Sequence, residues 1–236
     1  MQPVQWKRGR IVWVMCLGGL VVATAGCQLP RGYKPGPGEP SSELLGTRYT
    51  RVSMSWLQTG NPAIEEIDDF MLALSVDFNL PISKTLDLQG FLGNRKASGE
   101  AVDAVFGPYE MSVGGQYFGV GLTGHSRPDE VLDPYIFVAA QYLLLDVDYR
   151  DTSSSVVFDE EELGWVAGGG IEWRPTASVA ASPYIKYFDN GIFGEGTRIG
   201  GRIDTWLDDT WFLELSGEAP ISQSGHALGL GLGFRF

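Results

Sequence analysis

The last ten residues of the chain alternate between two kinds of side chain. Every second position is large and apolar, and the positions between them are small or, at one place, basic. Because successive side chains of a β-strand point to opposite faces, this period of two predicts a strand with one wholly apolar face. Its length suits a tilted transmembrane strand. The apolar positions are Leu228, Leu230, Leu232, Phe234 and Phe236.

The same alternation recurs from residue 47 onward and predicts ten strands. The fifth strand slips out of phase at Leu143–Leu145, where we expect a β-bulge. A count of eight, with two segments merged or discarded, stays open. The predicted strands are Arg48–Gln58, Asp69–Leu80, Thr85–Arg95, Tyr109–Val120, Tyr135–Arg150, Leu163–Arg174, Val179–Phe188, Arg198–Leu207, Thr210–Glu218 and the terminal strand.

The connections between these strands differ in length. Those after the second, sixth and eighth strands are short, whereas those after the odd-numbered strands are longer and polar or glycine-rich, as at 96–108 and 151–162. The link 122–134 is the exception, because it is long where a short turn is expected. Short turns at one rim and long loops at the other are typical of transmembrane barrels. Such a sheet closes on itself, since unpaired backbone groups are costly in lipid.

The first 27 residues have the features of an export signal. Three basic residues precede an uncharged, mostly apolar run at 11–25 that is too short to cross a membrane comfortably as a helix. Residues 23–25 form an A-x-A cleavage site. Residues 24–27 resemble a bacterial lipobox, which implies a lipid anchor on Cys27. Both alternatives stay open, and both export the protein from the cytoplasm.

The remaining chain divides into a linker and one domain. Residues 28–46 are rich in Pro, Gly and Ser, which predicts a flexible tether. Residues 47–236 are long enough for a single domain, the barrel.

Charge and cysteine content exclude some classes of protein. The formal net charge is −12, and loss of the signal's three basic residues takes it to −15. A surface this acidic argues against nucleic acid as a partner. Of the two cysteines, Cys16 lies in the signal, so the exported chain can form no internal disulfide.

The face of each strand opposite the apolar one carries charges of both signs and is predicted to line the lumen. In a narrow barrel such charges pair and fill the interior. We therefore expect a plugged lumen, with a narrow water-filled pore as the alternative. The predicted lumen charges are Arg51, Asp77, Asp87, Glu110, Glu172, Lys186, Arg198, Arg202, Asp204 and Glu214.

The architecture and the terminal Phe236 together resemble the superfamily of small bacterial outer-membrane β-barrel proteins over residues 47–236. The resemblance implies location in the outer membrane, with membrane lipid and the barrel-assembly machinery as partners. It also implies that the terminal strand is the segment read during assembly. It names no ligand and no specific protein partner. A soluble periplasmic barrel of lipocalin type, with its apolar face inside, is the alternative fold.

Candidate chemistry is sparse, and we expect no enzyme activity, cofactor or metal centre. His125 and Ser126, with Asp129 and Glu130 nearby, resemble the His and Ser of outer-membrane lipid A deacylases, but the spacing differs. His226 lies beside Ser222 and Ser224, an arrangement similar to that of omptin proteases, whose paired aspartates are missing. An outer-membrane hydrolase or protease is therefore a minor alternative. The acidic run 159–162 is interpreted as a solvated loop or a divalent-ion contact.

Overall fold

The computed structural model describes residues 44–58, 70–103, 107–126, 131–151, 154–191, 195–221 and 225–236. These residues form ten β-strands. No helix among them is long and apolar enough to span a bilayer. The strands are β1 (Tyr49–Gln58), β2 (Met71–Ser83), β3 (Leu86–Asp103), β4 (Gly107–His125), β5 (Leu132–Asp151), β6 (Ser155–Thr176), β7 (Val179–Asp189), β8 (Glu195–Trp206), β9 (Trp211–Pro220) and β10 (His226–Arg235).

The strands make a closed antiparallel barrel in which each strand pairs with the next along the chain. Closure occurs between β1 and β10, from Tyr49 opposite Arg235 to Gln58 opposite His226. This confirms the all-β, ten-stranded prediction and excludes eight strands. We call the rim that holds Tyr49 and Arg235 the terminal rim and the opposite one the hairpin rim.

The connections at the terminal rim are short. The link that the sequence predicts at 122–134 is shorter in the structure. Strand β4 continues to His125 and β5 begins at Leu132, which leaves residues 126–131 between them. In the turn before β9, the Asp208 carboxylate accepts hydrogen bonds from the backbone N–H groups of Trp211 and Thr210, each at 2.7 Å. These bonds, first that of Trp211, hold the pKa of Asp208 below its usual value.

Two of the segments predicted as loops are largely strand. β3 continues to Asp103 and pairs with β4 from Gly107, and β5 continues to Asp151 and pairs with β6 from Ser155. On either side of these four strands, the described pairing ends nearer the terminal rim. Strand β2 pairs with β3 as far as Lys96, and β7 pairs with β6 from Trp165. The result is a four-stranded projecting sheet beyond the hairpin rim, defined here as residues 96–103, 107–114, 146–151 and 154–162.

The expected bulge at Leu143–Leu145 is absent from the register, which runs unbroken along β5 on both sides. Leu143 and Leu145 are buried inside the barrel, and Leu144 between them faces out. The prediction of a bulge was wrong. The side chains on both faces of the wall are apolar at this height, so the sequence shows no alternation there although the strand is regular. The two irregularities in pairing lie instead at Pro81–Ser83 in β2 and at Trp173–Thr176 in β6.

A continuous apolar band covers the outside of the barrel between the projecting sheet and the terminal rim. Its side chains are large and substantially exposed, whereas a lipocalin-type barrel would bury its apolar face. A belt of this kind needs lipid around it, as in transmembrane barrels. The band includes Val52, Leu72, Leu74, Leu92, Phe118, Val120, Leu122, Ile136, Val138, Leu163, Ile185, Ile199, Leu213, Leu215, Leu228, Leu230, Leu232 and Phe234.

Candidate functional site

The lumen is the first candidate site, and nine of the ten predicted lumen charges face into it. Five of the nine are buried, and the other four are partly accessible from the interior. Glu110 is the exception and corrects the prediction. It is exposed on the outer face of the projecting sheet, where it pairs in register with Glu100 and Arg150. Outside the membrane that face meets water, so a carboxylate there needs no partner in the lumen.

Ion pairs line the wall in the middle of the lumen. Arg51 binds its cross-strand neighbour Asp77 at 3.1 Å and also contacts Glu214, two strands away along the wall. Around the wall, Arg202 Nε lies 2.7 Å from Asp204. Charges removed from water are tolerated when they are paired and hydrogen-bonded, as these are.

A further lumen carboxylate was missed by the sequence analysis. Glu218 is buried and lies 2.7 Å from Lys186 Nζ. Strand β9 alternates, so Glu218 shares the inward face of Glu214 and could have been found by extending that pattern.

A second group of polar side chains closes the lumen at the terminal rim. His125 Nδ1 lies 2.8 Å from Asp133, and Arg174 lies 3.0 Å from Glu172 and 3.7 Å from Asp133. Asp87 joins them, with its Oδ1 3.9 Å from His125 Nε2. All five side chains are buried.

Of this group, the sequence analysis placed only Asp87 and Glu172 in the lumen. Asp133 and Arg174 were missed, and His125 was considered only as a candidate for catalysis. Asp133 could have been predicted from the sequence if β5 had been extended to Leu132. Asp133 then lies directly opposite Glu172, which was already assigned to the lumen.

Residues 44–47 plug the terminal rim from inside. The Leu44 and Leu45 side chains are 1% and 5% exposed, and their backbone N–H groups donate to the Glu172 carboxylate at 3.4 and 3.3 Å. The Gly46 N–H donates to Asp87 at 2.8 Å. The end of the predicted flexible tether, residues 44–46, therefore belongs to the barrel interior.

Between the plug and the hairpin rim lies a polar chamber of about 290 Å³. Leu44 and Leu45 line one end of it, and Tyr117 and Leu143 line the other. The last two belong to an apolar cluster that fills the barrel near the hairpin rim. The cluster consists of Leu57, Met71, Ala73, Ala97, Val113, Tyr117, Leu143, Leu145 and Ala227.

The projecting sheet is the second candidate site. Ten acidic and two basic residues give it a net charge of −8, two thirds of the charge of the whole chain. The acidic run 159–162 belongs to it and is part of β6, so the expectation of a loop there was wrong. Among the described residues, 155–164 have no partner strand on the side facing β7. Charged side chains on such a free edge discourage unwanted strand pairing.

Of the residues weighed for catalysis, His125, Ser126 and His226 lie in the described part of the chain, and these three do not form an accessible site together. The His125 side chain has no exposed surface, and its nearest partner is the buried Asp133. His226 is exposed at the hairpin rim, opposite Gln58. Within the described ranges, no group of three or more His, Cys, Asp or Glu side chains could hold a metal ion. The export signal with Cys27, and Asp129, Glu130, Ser222 and Ser224, lie outside those ranges.

Comparison with known proteins shows the fold. No protein-family model matches the chain, and no curated protein matches it. Solved structures that share the fold include the membrane-embedded parts of two bacterial autotransporters. The translocator domain of the autotransporter NalP from Neisseria meningitidis has 12% identity and a TM-score of 0.53, covering 81% of this chain and 88% of that one. The transport unit of the autotransporter AIDA-I from Escherichia coli has 10% identity and a TM-score of 0.52, covering 82% and 91%.

Proposed function

We propose that this chain is a non-enzymatic protein of the bacterial outer membrane with a closed lumen, which presents the projecting sheet outside the membrane as a surface for interaction. The outer apolar band supports insertion in lipid. Both chain ends of the barrel lie at the rim of short turns, which in outer-membrane barrels is the periplasmic rim. The projecting sheet then lies on the cell surface, and outer-membrane lipid and the barrel-assembly machinery are the general partners.

The observation that carries this proposal is closure of the lumen at more than one height. The plug of residues 44–47 occupies the terminal rim and the apolar cluster fills the hairpin side, while ion pairs such as Arg51 with Asp77 line the wall between them. A solute would have to displace both the plug and the cluster. This favours a structural or surface-binding role over transport.

The surface partner is expected to be cationic. The sheet has a net charge of −8, and most of its acidic side chains lie on β5 and β6. Complementary charge mainly speeds association and selects among partners. A basic protein segment on a neighbouring cell or molecule fits this surface, and a polyanion such as nucleic acid does not.

A narrow channel is the second candidate, favoured by the polar chamber of about 290 Å³. The chamber is lined by hydroxyl, amide and charged groups that would solvate a small solute. Conduction would require both the plug and the apolar cluster to move.

Two measurements test the proposal. Cell fractionation with gel mobility before and after boiling should find the chain in the outer membrane with a heat-modifiable band. Purified wild type in a planar bilayer should give no conductance step. A soluble periplasmic protein without a mobility shift contradicts the membrane assignment. A reproducible conductance step in wild type supports the channel instead.

Enzyme activity is tested with the two histidines. Wild type, His125→Ala and His226→Ala should show equal, background-level hydrolysis of outer-membrane lipid and of peptide. Activity in wild type that either substitution removes would contradict the non-enzymatic assignment.

A further inference from the structure

We propose that the terminal end of the lumen holds a first-row divalent metal ion of the zinc class, bound by His125, Asp87, Thr123 and Asn79. These side chains come from three adjacent strands, β2 to β4, and all point into the barrel beside the plug. Only two of the four are histidine or carboxylate, and the others contribute neutral oxygen atoms. The site is separate from the proposed function and stands or falls independently of it.

Each of the four side chains has one polar atom without a hydrogen-bond partner among the described residues. These atoms are Asn79 Oδ1, Asp87 Oδ1, Thr123 Oγ1 and His125 Nε2. None of the four residues is more than 4% exposed, and Asn79 and Thr123 also line the chamber. Buried polar atoms in native proteins are nearly always paired, so four such atoms on neighbouring side chains point to a bound ion or water molecule there.

The four side chains adjoin one another. Asp87 and Thr123 are direct cross-strand partners on β3 and β4. The Asn79 amide nitrogen donates to Asp87 Oδ2 at 3.0 Å, and His125 Nε2 lies 3.9 Å from Asp87 Oδ1. The other oxygen of Asp87 is occupied by the Gly46 N–H of the plug, so Oδ1 remains as the donor atom.

The hydrogen bond at the other ring nitrogen sets the chemistry of His125. Nδ1 lies 2.8 Å from the Asp133 carboxylate, which can only accept, so in the neutral ring the N–H is on Nδ1 and the lone pair is on Nε2. Without a mediator, that lone pair would face the Asp87 carboxylate oxygen, acceptor against acceptor. A histidine that donates one N–H to a carboxylate and offers its other nitrogen to a metal is the usual arrangement of a zinc ligand.

Distance and charge both fit a divalent ion. Zinc lies about 2.0–2.2 Å from nitrogen and oxygen ligands, so one ion fits between two donor atoms 3.9 Å apart at a wide angle. Three carboxylates, Asp87, Asp133 and Glu172, are buried in this group together with the guanidinium of Arg174. A divalent cation beside Asp87 adds positive charge to a group in which carboxylates outnumber the guanidinium among the described residues. The imidazole favours zinc-class metals over calcium or magnesium.

Metal content of the full chain, extracted from membranes in mild detergent, tests the inference. We expect about one zinc equivalent per folded wild-type chain and a lower unfolding temperature after chelation, restored by Zn²⁺. His125→Gln should lose the metal, whereas His226→Gln, which removes the chain's other histidine, should keep it. Asp133→Asn should weaken binding about 10- to 100-fold, because it removes the carboxylate behind the ligand.

A milder variant covers the case in which His125→Gln does not fold. Thr123→Val keeps the volume of the side chain and should fold, as judged by the heat-modifiable band, while changing the visible absorption of bound Co²⁺. If folded wild type binds neither Zn²⁺ nor Co²⁺, or binds them equally after His125→Gln, a water molecule or a proton fills the gap and the inference is wrong.

Discussion

The membrane-level wall and the projecting sheet are built from the same strands, yet they place their apolar faces on opposite sides. On β4, Phe118 and Val120 face outward at the height of the apolar band. Farther along the same strand, the buried Val113 faces inward, and the exposed Glu110 faces outward. The strand does not twist out of register, because its pairing with β3 and β5 is continuous. What changes is the solvent outside, from lipid to water.

This comparison teaches that a period of two identifies a strand without saying which face is inside. In lipid the apolar face turns out and the charges pair in the lumen. In water the apolar face turns in and builds a small core like that of a soluble protein, here the apolar cluster around Leu143. The first three predictions below pair one substitution at membrane level with its counterpart in water, or an inner residue with an outer one, and the last compares two charges in one turn.

The largest effect is expected for two ion pairs with the same spacing along the chain but different surroundings. Arg202–Asp204 in the lumen and Arg150–Asp148 on the projecting sheet both join residues two apart at 2.7 Å. Arg202→Ala leaves the buried Asp204 without its partner and should cost about 3–5 kcal/mol of unfolding free energy. Arg150→Ala, at a fully solvated site, should leave the unfolding midpoint unchanged.

Urea unfolding in lipid vesicles measures the difference, and planar-bilayer recordings on the same variants test the lumen. We expect Arg202→Ala to lower stability without opening a conducting pore. A variant that conducts while remaining as stable as wild type would contradict the view that these charges fill the lumen.

The next effect is expected at adjacent leucines of β5. Leu143 is 3% exposed inside the apolar cluster, and Leu144 is 38% exposed on the outer face. Leu143→Ala should cost about 2–5 kcal/mol because it leaves a cavity. Leu144→Ala should cost less, since the side chain is already partly exposed and its loss leaves no enclosed cavity. Equal losses in the two variants would mean that the hairpin end of the lumen is not a packed core.

A charge on the outer face of β4 separates lipid from water directly. Val120→Arg places a guanidinium in the apolar band and should cost about 2–4 kcal/mol near the bilayer midplane. Ser112→Arg lies on the same face of the same strand in the projecting sheet. That substitution should change stability by no more than about 0.5 kcal/mol. Unfolding from vesicles gives both values, and a costly Ser112→Arg would place that part of the sheet in lipid.

The sequence predicted the strands and most of the lumen because both depend on local alternation. It misjudged 96–108 and 151–162, whose glycines, serines and acidic residues are typical of loops. The described residues of these two segments form strands because a neighbouring strand offers a continuous ladder of backbone partners. Glu110 was assigned to the lumen for the related reason that a polar face was assumed to point inward everywhere.

The plug could not be predicted from local pattern at all. Leu44 and Leu45 end a segment with the composition of a linker, and the carboxylate that holds their N–H groups lies 128 and 127 residues away. The Asp87 that holds Gly46 is 41 residues away. Contacts across such separations depend on closure of the barrel, which brings β3 and β6 to the same mouth as the chain's entry into β1.

The smallest effect is expected in the turn at the terminal rim, where a charge lies in water yet has two fixed partners. The pKa of Asp208 is lowered by the N–H groups of Trp211 and Thr210, so its ionised form stabilises the folded state. This contribution is present above the unfolded-state pKa of about 3.9 and disappears as the pH falls through the lower folded-state value. Asp208→Asn should therefore lower the unfolding midpoint slightly at pH 7 and not below pH ~3.

Asp209→Asn removes the same charge from the same turn but keeps the backbone carbonyl that Arg235 binds. The unfolding midpoints of wild type and both variants should be measured across this pH range. The midpoint of Asp208→Asn should be lower than the other two only at the higher pH. A deficit in Asp208→Asn that persists in acid would show that the side chain acts through packing rather than through its charge.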